Sequence, residues 1–470
     1  MTSSVSPQTA ALLPPGSPAD WSQHTFDELM KLDRSEVEAV QLEALKKRFS
    51  ELRDKVKALQ TLADKQGVDS VESLEDALPL FFDHRVYKTY PLSLLEKRQF
   101  APLTKWLDRL TTHDLTKMSL EDLNTVDGWL DRLDEFGMIV GHSTGTTGKL
   151  SFIPRSNTEW KSWANAYFEA QTAATGGVDM RKEAMPSIST GYRYGHHMMI
   201  KMTSKFADVS AGGDEKRHNF QDGRVSSDLM SLAGRLQAAE EKGELDKLQI
   251  DPSILQARDE LIKKGRTKDE DMSAWFAALV EKFRGERVLV GGTFAELYKL
   301  ADAGMKAGAK CEFAPGSVLF GGGGLKGAKD VPDNWEDIVM EYFGIDRMCS
   351  MYGMSEMMPL APLCSKGHFH FPPYAITYVL DDEAKPLPRS GVQTGRFTVF
   401  DLLAETYWGG FISGDKVTMH YEDDCGCGWN GPYMERNIVR YSEQEGGDDK
   451  ITCAGSTKAY NEFMDYVQQI

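Results

Sequence analysis

The chain has 470 residues, enough to bury a large core, and its length fits about three domains or one elaborate α/β body with subdomains equally well. With 71 acidic against 54 basic residues it carries a formal net charge of −17, which disfavours nucleic acid and anionic lipid surfaces as partners and leaves small molecules. Six cysteines spread over this length make no disulfide framework. No apolar run reaches the roughly 20 residues of a membrane helix. The opening MTSSVSPQTAALLPPGSPAD lacks the basic start and apolar core of a signal peptide, so a cytoplasmic setting is expected.

Residues 1–22 read as a disordered tail. From Glu36 the apolar residues Leu42, Leu45, Phe49, Leu52, Val56 and Leu59 fall alternately three and four apart, which predicts one long amphipathic helix packed on the main body. It opens a helical subdomain expected over 23–140. An α/β core is expected over 141–395, holding a charged helical insertion at about 206–286 that includes DEKRHNFQDGR and SSDLMSLAGRLQAAEEK. The apolar runs RVLVGGTF (287–294) and SVLFGGGG (317–324) predict buried strands ending in glycine turns, and IVMEYFGI predicts a helix. Such alternation places a ligand site beyond the carboxyl ends of the strands. From Arg396 onward, FTVFDLL and KVTMHY predict a small β-rich module over 396–470, closed by a short helix.

Residues 142–155, HSTGTTGKLSFIPR, set small hydroxylated and glycine residues ahead of a lysine, a composition suited to wrapping donors around phosphate. The Walker A spacing fails, because Ser143 stands where the first glycine belongs and Leu150 where the magnesium-binding hydroxyl belongs. The run Ser143, Thr144, Gly145, Thr146, Thr147, Gly148, Lys149 instead resembles the phosphate loop of the adenylate-forming superfamily. Four further segments resemble that family in the right order. SVLFGGGGLKG (317–327) is similar to its glycine-rich strand end, where Gly321, Gly322, Gly323 and Gly324 would let adenine approach the backbone. MYGMSEM (351–357) resembles its Tyr-Gly-x-Thr/Ser-Glu motif, which implies Tyr352 and Gly353 at adenine, Ser355 at the α-phosphate and Glu356 on magnesium. FISGDKV (411–417) resembles its Thr-Gly-Asp motif, implying that Asp415 holds the ribose hydroxyls. GYRYGHH (191–197) falls where the family sets an aromatic residue or histidine beside the substrate carboxylate, with Tyr194 and His197 as candidates and His197 preferred as the catalytic one.

Within the superfamily the likeness is to the phenylacetate-CoA ligase and acyl-protein synthetase branch, carried by LPLFFDHRVYKTYP, VLVGGTFAEL and CGCGWNGPYMERNIVRYSE. Some members of that branch hold a structural zinc. The resemblance implies Cys364, His370, Cys425 and Cys427 as its ligands here, with His368 as an alternate. It also implies ATP and Mg2+, a small-molecule carboxylic acid substrate, formation of an acyl-adenylate with release of pyrophosphate, and transfer to a thiol, coenzyme A above all. An acyl-protein synthetase or amide-forming ligase would use the same adenylate. A non-catalytic nucleotide- or partner-binding member is the reading from another class. A homodimer or an acyl-accepting protein is left open as partner. One departure stands out. If GGDDKITCAG (446–455) is the hinge, with Asp449 near its centre, a short helix ending at Ile470 stands in place of the family's mobile lid. The lid lysine is then unassigned, Lys450 is a poor substitute, and Cys453 is a candidate acyl acceptor.

Overall fold

The structure, a computed structural model, describes residues 5–143, 149–243, 270–325, 331–443 and 454–469. Ser6 caps α1 (Pro7–Leu12), and Pro18 opens α2 (Pro18–Trp21), where a missing N–H costs nothing. This corrects the expected disordered tail. Leu13 and Trp21 are fully buried, the indole Nε1 donates to the Pro14 carbonyl at 2.9 Å, and Ser6 Oγ donates to Glu36 at 2.6 Å. Withdrawing an indole and a leucine from water offsets the ordering of so short a segment.

After α3 (Phe26–Leu29), the expected single long helix is two, α4 (Arg34–Leu52) and α5 (Lys57–Gln66). The chain turns between them and buries Val56 at the start of α5. The three-four spacing crosses the break because both helices bury the same stripe. Helices α6 (Ser93–Glu96), α7 (Phe100–Leu107) and α8 (Val126–Glu135) complete this region. Its Trp21, Phe49, Leu62 and Trp106 share one core with Phe400, Trp408 and Phe463 of the C-terminal part.

A hairpin, β2 (Met138–His142) and β3 (Phe152–Ser156), follows, with His142 opposite Phe152 as the pair nearest the connection. Ser156 and Glu159 form the capping box of α9 (Asn157–Ala174). Next comes a six-stranded sheet in the order β5-β4-β6-β7-β8-β9. Its strands β4 (Ser187–Gly195), β5 (His218–Val225), β6 (Leu289–Thr293), β7 (Val318–Gly322) and β8 (Met348–Tyr352) run parallel, and β9 (Ala361–Pro362) antiparallel. The helices around it are α10 (Met198–Val209), α11 (Ser227–Lys242), α12 (270–282), α13 (Phe294–Lys306) and α14 (Trp335–Phe343). The two glycine-ended runs are β6 and β7, as expected. The charged stretch 206–286 departs from a purely helical insertion, because it supplies β5. An edge strand has one neighbour, so its polar sequence HNFQDGRV can face water.

The second sheet has seven strands, ordered β10-β14-β13-β12-β11, with β1 (Phe82–Asp83) and β15 (Val439–Arg440) also on β13. The others are β10 (Phe369–His370), β11 (Ala375–Leu380), β12 (Val392–Asp401), β13 (Gly410–His420) and β14 (Tyr433–Met434). This sheet begins ahead of the expected boundary at 396 and takes a strand from the N-terminal region. The last helix, α15 (Thr457–Gln468), stacks Phe463 on Phe82 and accepts the Asp83 N–H on the Tyr460 hydroxyl at 2.8 Å. The protein is thus a mixed α/β fold. No helix among the described residues is long and apolar enough to cross a membrane. Because Trp21 is fully buried, Trp21→Ala is expected to cost about 3–5 kcal/mol of unfolding free energy, read as a lower urea midpoint; an unchanged midpoint would show the segment to be dispensable.

Candidate functional site

The carboxyl ends of β6, β7 and β8 lie level, with Gly292 opposite Gly321 and Gly321 opposite Ser350. Two glycines there have distinct uses. A Cβ on Gly321 would strike the Phe294 ring, so the strand end packs on α13 only because that side chain is missing, whereas a Cβ on Gly322 would meet nothing within 4 Å among the described residues. Among the described residues, nothing crowds Gly322 at the strand end. Gly323 and Gly324 continue the turn in the left-handed region.

Tyr352 ends β8 beside them. Its ring is boxed by Phe369, Phe371 and Phe397, with centroids 6.1, 6.1 and 5.4 Å away, and offers little open face. Its hydroxyl does the visible work, donating to Asp415 Oδ2 at 2.9 Å. Burial, then the Asp415 carboxylate, holds this hydroxyl well above its ordinary value, so it stays a donor. Asp415 lies on β13 opposite Arg440 of β15, whose Nε is 3.4 Å from Oδ1. One side-chain bond thus joins the end of the parallel sheet to the middle of the other.

The turn after Tyr352 carries Gly353, Ser355 and Glu356. Arg155, on β3, donates from Nη2 to the Ser355 carbonyl at 2.7 Å. Burial raises the Glu356 carboxyl above its ordinary range, while the positive charges of Arg155, Arg440 and Lys88 act to lower it. Lys149 donates from Nζ to the Tyr90 carbonyl at 2.7 Å and to the Lys88 carbonyl at 3.4 Å. Burial lowers its pKa, and the Lys88 charge lowers it further. Lys149, Lys88, Glu356, Arg440, Asp415 and Tyr352 thus form a continuous set of electrostatic neighbours. Ser143 closes the base of the phosphate-loop segment, its N–H donating to the Ser151 carbonyl at 3.1 Å and its Oγ accepting the Ser151 N–H at 3.2 Å. Thr144, Gly145, Thr146, Thr147 and Gly148 lie outside the described residues, as do Asp449, Lys450 and Cys453.

Three cations that act on Glu356 were not singled out by sequence. Arg155, Lys88 and Arg440 all sit inside the segments HSTGTTGKLSFIPR, LPLFFDHRVYKTYP and CGCGWNGPYMERNIVRYSE. No spacing rule marks them; only their convergence in space does.

His197 precedes α10 and bridges to His142 at the end of β2, the two rings 5.7 Å apart. His142 is fully buried between Ser227 Oγ, 3.0 Å from Nε2, and the Ser143 carbonyl, 2.8 Å from Nδ1. Burial pushes both imidazoles down to about 4, so both are neutral near pH 7. Tyr194, the other candidate, is 55% exposed and meets the Arg193 guanidinium instead.

Cys364, His370, Cys425 and Cys427 converge separately, their ligand atoms all within 4.8 Å of one another. Cys425 Sγ lies 3.8 Å from Cys364 Sγ and 3.3 Å from His370 Nε2, and His368 Nδ1 is also 3.3 Å from it. Antiparallel pairing of β10 with β14 closes the sixty-residue gap between the two clusters. Burial, then the Cys427 and Cys364 sulfurs, pushes the Cys425 thiol up to about 12. A divalent cation among the three sulfurs would reverse that shift and hold them as thiolates.

The His142 environment carries a test. Its folded value lies below the ordinary 6.5, so the unfolded chain takes up the proton first; the stability it contributes is whole above pH 6.5 and is lost as pH falls toward 4. An NMR titration of the His142 ring is expected to have its midpoint near 4. His142→Asn should remove a slope of about 1.4 kcal/mol per pH unit from that window, and a midpoint at the ordinary value would refute the burial argument.

No family model matches the sequence, and no curated protein sequence matches it. Among solved structures, the chain has partial likeness to amide bond synthetase McbA from Marinactinospora thermotolerans, at 13% identity over 65% of this chain and 49% of that chain, with a TM-score of 0.34. Apo MatB from Rhodopseudomonas palustris shares 14% identity over 65% of this chain and 48% of its own, with a TM-score of 0.35. Apo MbtA from Mycobacterium smegmatis shares 14% over 75% and 60%, with a TM-score of 0.33. The chain spans about half the length of the first two structures.

Proposed function

We propose that the protein is an ATP-dependent, carboxylate-activating ligase that forms an acyl-adenylate, releases pyrophosphate and passes the acyl group to a thiol, coenzyme A above all. The observation that carries this reading is the Tyr352–Asp415 hydrogen bond, which sets the two residues assigned to the nucleoside against one another at the glycine-rich strand end. Arg155, Arg440 and Lys88 surround Glu356, with Lys149 beside Lys88, in a chain of net charge −17, a local reversal suited to a polyphosphate.

A carboxylate resists nucleophiles because oxide would have to leave. Its oxygen attacks the α-phosphorus in line, the bond from that phosphorus to the bridging oxygen breaks, and pyrophosphate carries away the electron pair. The half-buried Glu356, a hard oxygen donor among cations, fits magnesium. When bound, the ion offsets negative charge on the departing pyrophosphate. Lys149 and Lys88 supply positive charge, Ser355 lies next to Glu356 for the α-phosphate, and Asp415 Oδ1, paired with Arg440 at 3.4 Å, keeps a lone pair to accept from ribose. A neutral His197 beside the phosphate-loop base is suited to donating a hydrogen bond to the acid, with little proton transfer required. The same adenylate could be opened by an amine, and the acceptor distinguishes these branches of the reading. Three cysteines and a histidine fit a structural zinc that ties the segment after Glu356 to the second sheet.

ATP–pyrophosphate exchange over aromatic and aliphatic acids, followed by AMP release with and without coenzyme A, is the test. Exchange is expected with at least one acid and strong stimulation of AMP release by coenzyme A; silence across the panel would overturn the ligase reading. Asp415→Ala should raise the apparent KM for ATP about 10- to 100-fold, as loss of a hydrogen bond to a charged group does. For the metal, elemental analysis should find one zinc per chain, and Cys425→Ser should lower both the zinc content and the Tm. Metal-free protein indifferent to chelators would reject the centre.

A further inference from the structure

The segment Ser355–Met358 is held by two buried side chains of opposite charge. Arg155 takes the carbonyl of Ser355 at 2.7 Å, and Asp401 takes the N–H of Met358 on Oδ2 at 2.8 Å. These two peptide groups flank Glu356 on either side. Asp401 is fully buried and Arg155 is 1% exposed, so neither can reach a nucleotide in solvent. They come from different elements: Arg155 from β3, directly after the phosphate-loop segment, and Asp401 from the end of β12.

Both anchors are themselves fixed. Asp401 Oδ1 accepts the Leu403 N–H at 2.9 Å, and its own N–H donates to the Gly409 carbonyl at 2.9 Å. The Tyr407 hydroxyl donates to Asp401 Oδ2 at 3.4 Å, and it also acts electrostatically on Arg155. The Arg155 guanidinium lies 5.7 Å from the Trp160 ring and donates to Met198 Sδ at 3.2 Å. Glu159, fully buried nearby, is spent on the Glu405 and Thr406 N–H groups at 2.7 and 2.9 Å. Burying three charged groups is costly unless each is paired and hydrogen-bonded. A core that only needed filling would hold apolar side chains here. What the charges add is direction: one grips a carbonyl, the other an amide, two peptide units apart.

We propose that Arg155 and Asp401 are positioning residues that clamp the Ser355–Met358 turn and so set the Glu356 carboxylate for its metal ion, coupling it mechanically to the phosphate-loop hairpin. This rests on the reading of Glu356 as the magnesium ligand. The clamp touches no ligand. It acts through the backbone, as partners of metal ligands do when they orient a donor without binding the ion. Because Arg155 lies on β3, six residues after Lys149, the metal side of the site is tied to the strand that leads out of the phosphate-loop segment.

The test uses the full chain, ATP and Mn2+ as an EPR-visible probe, with Arg155→Lys, Asp401→Asn, Tyr407→Phe and Glu356→Gln. Circular dichroism and thermal melts establish which variants fold. Arg155→Lys and Asp401→Asn are expected to weaken Mn2+ binding in the presence of ATP about 10-fold or more, to recover wild-type occupancy at excess Mn2+, and to bind ATP in EDTA as the wild type does. Tyr407→Phe, which removes only a hydroxyl, should weaken Mn2+ binding in the same direction and less, and it decides the matter if the charged variants do not fold. Folded variants that hold Mn2+ as tightly as the wild type, while Glu356→Gln loses it, overturn the clamp alone. Wild-type protein that binds no Mn2+ with ATP, or Glu356→Gln that binds it normally, overturns the reading of Glu356 and the clamp with it.

Discussion

The hydrogen bond from Tyr352 to Asp415 is the contact on which the arrangement of the site depends, because its two ends belong to different sheets. Tyr352 ends a parallel strand whose neighbour ends in glycine; Asp415 sits mid-strand in an antiparallel sheet that also takes a strand from Phe82–Asp83. Neither sheet alone carries both residues. Burial keeps the phenol protonated, so the donor is never lost at ordinary pH, and a buried donor left without its acceptor would cost the full desolvation of that group. The interface between the sheets is therefore held by polar geometry as well as by apolar packing.

Around that contact the fold concentrates positive charge against the sign of the whole molecule. Lys88 comes from the segment ahead of β2 and Lys149 from the end of the Ser143–Lys149 run, and Arg440 from the edge strand beside Asp415. Each has a partner on the protein. Lys149 is held by two backbone carbonyls, Arg440 by a carboxylate. In contrast, the histidines near the loop are stripped of charge by burial. Two environments result: cations around Glu356, and a neutral imidazole hydrogen-bonded to the Ser143 carbonyl.

The cysteine and histidine cluster and the N-terminal helices do the supporting work. The cluster draws the chain that follows β9 against the β13–β14 hairpin. The N-terminal helices pack on the second sheet, with Phe49 of α4 against Trp408, while the C-terminal helix α15 stacks Phe463 on Phe82 of β1. A segment as short as α1 and α2 is ordered because its indole finishes that same core.

Much of this was legible in residues alone. Apolar runs ending in glycines marked β6 and β7 because a buried parallel strand needs continuous hydrophobic side chains and its turn needs the missing Cβ. The cysteine and histidine cluster could be named because the family resemblance implied a zinc and thiolate and imidazole are its usual ligands. What local pattern could not decide was anything resting on remote neighbours. The stripe from Leu42 to Leu59 has the same spacing whether one helix carries it or two, and only the shape of the core placed a turn ahead of Val56. The polar stretch at 218–225 became a strand because β4 left an edge for it. Arg155, Lys88 and Arg440 acquired their places near Glu356 through tertiary packing, since a charge has no periodicity to announce which carbonyl or carboxylate it will meet.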